Sequence, residues 1–366
     1  MPFKRVLKWT AGLVPLLLAV LFLVAWLRSD NSCSDPVTTP VHPMKAVVYC
    51  DYGAATVLEL RDIEKPVPGA GQVLVRVRAA SVNALDWHVM RGVPYLARGV
   101  MGLRRPKDVR MGVDFAGTVE AVGSGVTRFK PGDEVFGGRT GAFAQYVTLS
   151  EAAGIALKPA GLTFEQAAAL PVAAGTALQA VRDQAQVQPG QKVLINGASG
   201  GVGTYTVQIA RALGAEVTGV SSTRNLELVR SLGAQRVIDY TKEDFTERPE
   251  RYDVVIDNVG NRSLSDFRKV LEPDGKYVLV GGGFGKWVSP FPRIIGMKLV
   301  SPFVSQDLRF FIAELNPDEL NRLAELVQKG DITPVIDRTY PLSEIRAAVA
   351  YVDAGHARAK VVVTVD

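Results

Sequence analysis

The sequence predicts an α/β protein: a compact, largely antiparallel β domain interrupted by a doubly wound parallel-sheet domain, behind an N-terminal transmembrane helix. Three observations predict it. Short alternating strands dominate from Met44 to about Leu162, strands and helices alternate after Thr163, and the stretch from Trp9 to Leu27 carries no charge. The expected division is 1–28 anchor, 29–43 linker, 44–162 with 305–366 as the β domain, and 163–304 as the inserted domain.

At the amino end, Lys4, Arg5 and Lys8 precede the uncharged Trp9–Leu27 stretch. At about 1.5 Å per residue such a helix roughly matches the ~30 Å hydrocarbon core of a bilayer. Trp9 and Trp26 sit at its ends, where amphipathic rings favour the membrane interface. A cleaved signal peptide competes, although the small-residue cleavage pattern is poor. Initiation at Met44 is a third reading. Residues 29–43 are polar and Pro-containing, as linkers are.

In the first domain, Gln72 to Arg78 alternates apolar and polar residues, the pattern of a half-buried strand. Gly112 to Gly123 and Asp133 to Phe136 continue in short strands broken by Gly and Pro, as in a small antiparallel barrel. The stretch Val93–Arg110 is a long connection, a frequent seat of function. Thr163 to Val181 reads as a helix with Thr163 at the N-cap and Gln166 three residues on. Strands Val193–Ile195, Glu216–Val220, Val237–Ile238, Val254–Ile256 and Tyr277–Val280 then alternate with helices, which implies a parallel sheet covered on both faces. Two helical patterns, Pro317–Lys329 and Leu342–Val352, precede a closing apolar strand, Lys360–Val365. That strand lacks a local partner and is expected to return to the first domain.

The turn Asn196 to Gly203 carries the strongest functional signal. It follows a buried strand and opens a helix, with Ala198, Ser199, Gly200, Gly201, Val202 and Gly203 in place of a dinucleotide fingerprint whose first Gly is Ala198. Small residues let backbone N–H groups approach a pyrophosphate at the helix N-terminus. A structural strand–helix turn is the alternative, but the repeating βα units favour the cofactor. Where NAD-preferring proteins place a carboxylate at the end of the second strand, this chain has Ser221, Ser222, Thr223 and Arg224, which suits the extra phosphate of NADPH. Arg224 as an ordinary exposed helix residue is the alternative. Tyr240, ending the next strand, either covers that phosphate or caps the sheet.

With these residues in place, the chain resembles the medium-chain dehydrogenase/reductase superfamily, in particular its zinc-free quinone oxidoreductase (zeta-crystallin-like) branch. The resemblance runs from Met44 to Asp366. It rests on Gly190–Arg211, including Leu194, Gln208 and Arg211, and on Ala80–Asp86, Ala169–Thr176 and Gly355–Val361. It implies a GroES-like catalytic β domain carrying a Rossmann NADPH-binding domain, with the active site in the cleft between them. Zinc-dependent relatives hold metal with a Cys at the position of Asn83 and a His and Glu near Val113 and Asp114. Those ligand types are absent here, and His88 alone does not make a site, so no metal is expected.

The implied reaction is hydride transfer from NADPH to a quinone or an α,β-unsaturated carbonyl. Asn83 and Asp86 are the candidates for polarising the substrate or relaying a proton, or else they brace the loop. Thr176, Asn258, Gly281, Gly282 and Gly283 are expected to border the nicotinamide and its ribose, and Tyr95, Phe284 and Trp287 to contact substrate. Two alternatives stay open: an enoyl-thioester or alcohol reductase of the same fold, and a membrane-tethered NADPH-binding sensor or partner-binding protein without useful turnover.

The charge pattern excludes a nucleic-acid partner. The net charge is +5, and no Lys/Arg run marks a groove for a phosphate backbone. Cys33 and Cys50 are too few for a disulfide framework or a four-cysteine zinc lobe, and the main body reads as a reduced-compartment protein. The basic residues before the apolar stretch predict a domain beyond the membrane, whereas NADPH supply argues for the cytosolic side. The apolar segment 298–303 is a candidate sheet edge for pairing two copies, weakened by Pro302.

Overall fold

The computed structural model describes residues 39–282, 285, 287, 289–355 and 357–366, together with Val20, Leu23, Val24, Trp26 and Cys33. The expected membrane span at 9–27 falls almost wholly outside them. Among the described residues no helix is long and apolar enough to cross a membrane.

The chain begins with a hairpin of β1 (Pro43–Tyr49) and β2 (Leu58–Glu64). A larger sheet follows from β3 (Gln72–Val82), β4 (Asp114–Val122), β5 (Glu134–Gly138), β6 (Tyr146–Ser150) and β7 (Ile155–Leu157). Along β3 the alternation expected from sequence is realised: Val73, Val75 and Val77 are buried while Arg76 and Arg78 face solvent. Their side chains join Phe115, Phe143 and Leu149 in one core. Each such apolar side chain contributes about 1.5–3 kcal/mol when fully buried.

The second domain is built on β8 (Lys192–Asn196), β9 (Glu216–Ser221), β10 (Arg236–Asp239), β11 (Tyr252–Asp257), β12 (Leu271–Leu279) and β13 (Asp307–Phe310). All pairs are parallel and the spatial order is β10-β9-β8-β11-β12-β13. The chain starts at the centre, steps outward twice, then crosses to the other side. The resulting crevice lies where β8 and β11 part, at their carboxyl ends, which is where doubly wound sheets take ligands. The sheet reaches Phe310, past the boundary expected at residue 304.

After that sheet the chain returns through β14 (Ile336–Pro341) to β15 (Lys360–Thr364). β15 lies between β14, to which it is parallel, and β3, to which it is antiparallel. The closing strand therefore completes the first domain, as its missing local partner implied. Its Val361, Val362 and Val363 are buried.

Three sequence expectations are corrected. The expected edge strand at 298–303 is instead the end of a helix, Phe291–Val300, followed by a tight turn over Ser301–Phe303. Met297 is buried against the core while its neighbours are exposed, so the apolar run is a helix surface. The single helix expected over 163–181 is divided at Ala169–Leu170, because Pro171 has no N–H to donate back to the Ala167 carbonyl. The cysteines are not reduced: Cys33 and Cys50 form a disulfide with their Cα atoms 5.7 Å apart.

The cap at Thr163 forms in full. The Gln166 N–H donates to Thr163 Oγ1 (3.2 Å), and the Thr163 N–H donates to Gln166 Oε1 (3.0 Å). Thr163→Ala is expected to lower stability by about 1 kcal/mol, read from the urea midpoint at unchanged slope.

Candidate functional site

β8 delivers the chain to the crevice at Asn196. Gly197 then turns it with φ at +78°, a conformation that favours glycine. Ala198 is fully buried, its N–H donating to the Val220 carbonyl (3.0 Å). The helix Gly201–Ala212 opens behind Gly200 with no side-chain cap, so its first-turn N–H groups remain available to an anion. A Cβ on Gly203 would run into the Gly197 carbonyl oxygen and the Ala198 backbone. Glycine at that position thus lets the helix sit close against the strand.

Ser221, ending β9, is buried, and its hydroxyl has no partner among the described residues. Ser222, Thr223 and Arg224 follow at the start of a short helical turn. Thr223 Oγ1 donates to Asp239 Oδ2 (2.5 Å), so a carboxylate does stand beside this segment, brought by β10. Hydrogen bonds from the Thr223 and Thr241 hydroxyls hold it below the usual carboxylate range. Tyr240 follows it and is exposed.

On the other side of the crevice, Asn258 Nδ2 donates to the Asn196 carbonyl (3.1 Å), while its buried Oδ1 has no partner among the described residues. Gly281 passes so close to the Asn258 carbonyl that a Cβ would not fit. Thr176 turns its hydroxyl back to the Val172 carbonyl (2.7 Å). Gly283 and Phe284 lie outside the described residues. An unpartnered buried polar atom costs about 1–3 kcal/mol. Ser221 Oγ and Asn258 Oδ1, both at the carboxyl edge of one sheet, therefore fit a polar ligand running across the switch point.

Asp257, at the end of β11, was not singled out from sequence. Fully buried, it accepts from Asn196 Nδ2 (2.8 Å), the Gly260 N–H (2.9 Å), the Tyr277 hydroxyl (2.7 Å) and Arg293 Nη1 (3.0 Å). It fixes the edge on which both sides of the crevice are hung.

Asn83 and Asp86 sit where β3 passes into the helix Ala84–Arg91, as its capping pair. The Asn83 N–H donates to Asp86 Oδ2 (2.7 Å). The Asn83 side chain is committed on both sides: Nδ2 donates to Asp114 Oδ2 (2.9 Å), and Oδ1 accepts from Lys360 Nζ (2.5 Å). Lys360 also pairs with Asp114 (3.5 Å), which accepts in addition from the Ser81 hydroxyl (2.9 Å) and the Val172 N–H (3.0 Å). All five side chains are buried. Burial favours the neutral form of each ionisable member: it raises Asp114 and lowers Lys360, and it pushes Asp86 up to about 7. The mutual pairing of Lys360 and Asp114 opposes burial and favours the charged form of both. Lys360, like Asp257, is a residue that sequence reasoning missed. Its ammonium stands against the residue where zinc-dependent relatives carry a Cys ligand. Among the described residues no three of His, Cys, Asp and Glu gather as metal ligands.

Tyr95 and Trp287 meet edge to face, ring centroids 5.0 Å apart, and the Leu96 N–H donates to the Trp287 carbonyl (3.2 Å). This contact joins the loop before the helix Arg98–Met101 to the segment after β12, with the Arg98 guanidinium over both the Tyr95 and Tyr52 rings. His88 stacks on Trp87, and burial lowers its pKa.

Removing one partner of the buried pair isolates the other charge. Lys360→Met is expected to cost about 3–5 kcal/mol of stability. The double variant Lys360→Met/Asp114→Asn should recover much of that loss, and denaturant unfolding of the three proteins checks it.

Residues 69–160 match the alcohol dehydrogenase GroES-like domain, and residues 232–363 match a zinc-binding dehydrogenase domain. The NADPH-dependent alkenal/one oxidoreductase of Arabidopsis thaliana chloroplasts is 34% identical over 335 residues, covering 87% of this chain and 79% of that protein. The chloroplastic quinone-oxidoreductase QR1 of Triphysaria versicolor is 33% identical over 341 residues, covering 87% and 98%. Among solved structures, the quinone oxidoreductase of Coxiella burnetii superimposes with a TM-score of 0.77 at 31% identity, covering 88% of this chain and all of that one. The chain belongs to the medium-chain dehydrogenase/reductase superfamily, in its zinc-free quinone oxidoreductase branch.

Proposed function

We propose that this protein is an NADPH-dependent oxidoreductase that reduces a quinone or an α,β-unsaturated carbonyl without metal. The observation that carries it is the crevice at the β8/β11 switch point. An uncapped helix N-terminus lies at its centre, and orphaned buried polar atoms lie on both sides. Bound there, NADPH would supply hydride. The chain's own residues bind, orient and keep water out. Gly200 to Gly203 hold the pyrophosphate and Ser221 to Arg224 the ribose phosphate, with Tyr240 alongside. Thr176, Asn258 and the Gly281–Gly283 segment border the nicotinamide end, and Tyr95, Phe284 and Trp287 border the acceptor.

Asn83 and Asp86 act from beneath the cleft. Asn83 is locked between an ammonium and a carboxylate, and it sets the geometry of the strand end behind the acceptor. Asp86 retains a proton close to neutral pH and limits the negative charge that builds up there. With a conjugated acceptor already electrophilic at carbon, hydride transfer needs orientation more than a Lewis acid.

Residues 1–28 are proposed as a membrane anchor and 29–43 as its linker. The two domains are 44–162 with the chain beyond Phe310, and 163–310. A homodimer is proposed through the outer edge of β13, which pairs on one side only and is flanked by exposed Phe303 and Ile312.

NADPH oxidation is to be followed spectrophotometrically with a small quinone, an enone, an enoyl thioester and an aldehyde. Turnover with the first two and little with the aldehyde is expected. NADPH binding without turnover on any acceptor would sink the enzyme reading. Arg224→Ala is expected to raise KM for NADPH by about tenfold, the loss of one charge-assisted contact, with KM for NADH nearly unchanged.

A further inference from the structure

We propose that one rim of the cleft docks on the surface of a lipid bilayer, so that the acceptor enters from the membrane. This rests on the reading of the protein as a quinone reductase with an N-terminal anchor.

The disulfide supplies the first observation. The apolar segment ends at Leu27, and Cys33, six positions on, is bonded to Cys50. Six residues of extended chain span at most about 20 Å. Without the bond the tether would run to β1, more than twice as many residues away. The disulfide therefore keeps Cys33 within about 20 Å of the end of the apolar segment, with the Cys50 Cα 5.7 Å from that of Cys33.

The residues beside Cys50 identify the rim. Asp51 pairs with Arg105 (3.1 Å), and the Tyr52 hydroxyl donates to the Gly102 carbonyl (2.8 Å). Both contacts reach the segment just after the short helix Arg98–Met101, in which Val100 is 80% exposed, with Leu96 just before it at 59%. Leu96 in turn binds the Trp287 backbone, and Trp287 is 72% exposed. Four residues on, the helix Phe291–Val300 begins. Its exposed Phe291, Ile295 and Leu299 recur every fourth position and share one face. Exposed Arg104, Lys107 and Lys298 are interspersed, and Asp108 in the same loop pairs with Arg110 (3.7 Å). Apolar side chains mixed with basic ones suit an anionic lipid surface. The tether, the exposed apolar side chains and the acceptor residues Tyr95 and Trp287 thus lie along one connected rim. A second copy of the chain on this face would leave the short tether without a role.

The test uses the full chain, disulfide intact, in phosphatidylcholine/phosphatidylserine liposomes. Two acceptors are compared, one quinone without a tail and the same quinone with a long hydrocarbon tail dissolved in the bilayer. In Val100→Ser/Ile295→Ser/Leu299→Ser, kcat/KM for the tailed quinone is expected to fall by roughly tenfold or more, with the tail-free quinone within about twofold. Cys33→Ser/Cys50→Ser is expected to shift the same ratio in the same direction. Equal effects on both acceptors, or none, overturn the proposal. So does a change from dimer to monomer in detergent with the ratio unchanged, which would make this face a contact between copies. If the wild-type protein reduces neither quinone, the functional reading fails and docking is decided separately. Trp287 fluorescence, in a Trp9→Phe/Trp26→Phe/Trp87→Phe background, should then be quenched by lipids brominated near the headgroup. Absence of quenching overturns docking.

Discussion

The ammonium of Lys360, buried against Asp114 and Asn83, is the interaction on which the two-domain arrangement turns. It lies at the start of β15, inside the first domain. The residue before it, Ala359, donates its N–H to the Ser199 carbonyl of the phosphate loop (2.8 Å). The Lys360 side chain also passes beside Gly201, within ordinary contact of where a Cβ there would stand. One short segment therefore touches the cofactor loop with its backbone and the strand end beneath the acceptor with its side chain. A buried ion pair is a weak source of net stability but costs much when half of it is removed. Its role here is better described as fixing the register of β15 against β3 and β4 than as adding strength.

A second hub works within the parallel sheet. Asp257 gathers donors from β8, β12, its own following turn and the helix that begins at Phe291. The crevice thus has a stiff floor from Asp257 and a stiff flank from Lys360. The buried groups without partners among the described residues, Ser221 Oγ and Asn258 Oδ1, lie at the carboxyl ends of the strands on either side of β8. Rigid surroundings with unsatisfied polar atoms are what a preorganised ligand site requires.

Much of this was legible in the sequence, for identifiable reasons. The phosphate loop was readable because the small residues, the preceding strand and the following helix are contiguous. The Thr163 cap was readable because both of its partners lie within one turn. Lys360 was not: Asp114 is 246 positions away, and a lysine opening a valine-rich strand looks like a solvated strand end. Asp257 likewise resembles a strand terminus until Arg293 is brought to it. The run at 298–303 misled because a short apolar stretch has no period of its own, and only the helix before it decides its state. The disulfide left no compositional trace, since two cysteines are compatible with either redox state.

Placing Lys360 in the last strand has a consequence for biogenesis. The first domain cannot close until β15 arrives, after every strand of the inserted domain has been made. Synthesis runs from the amino end, and domains fold as they emerge. The inserted domain can therefore be complete while Asp114 still awaits its counter-ion. A nascent chain that has not yet reached β15 would have its cofactor loop formed and its acceptor side unbuilt, so reductive chemistry would begin only once β15 has joined.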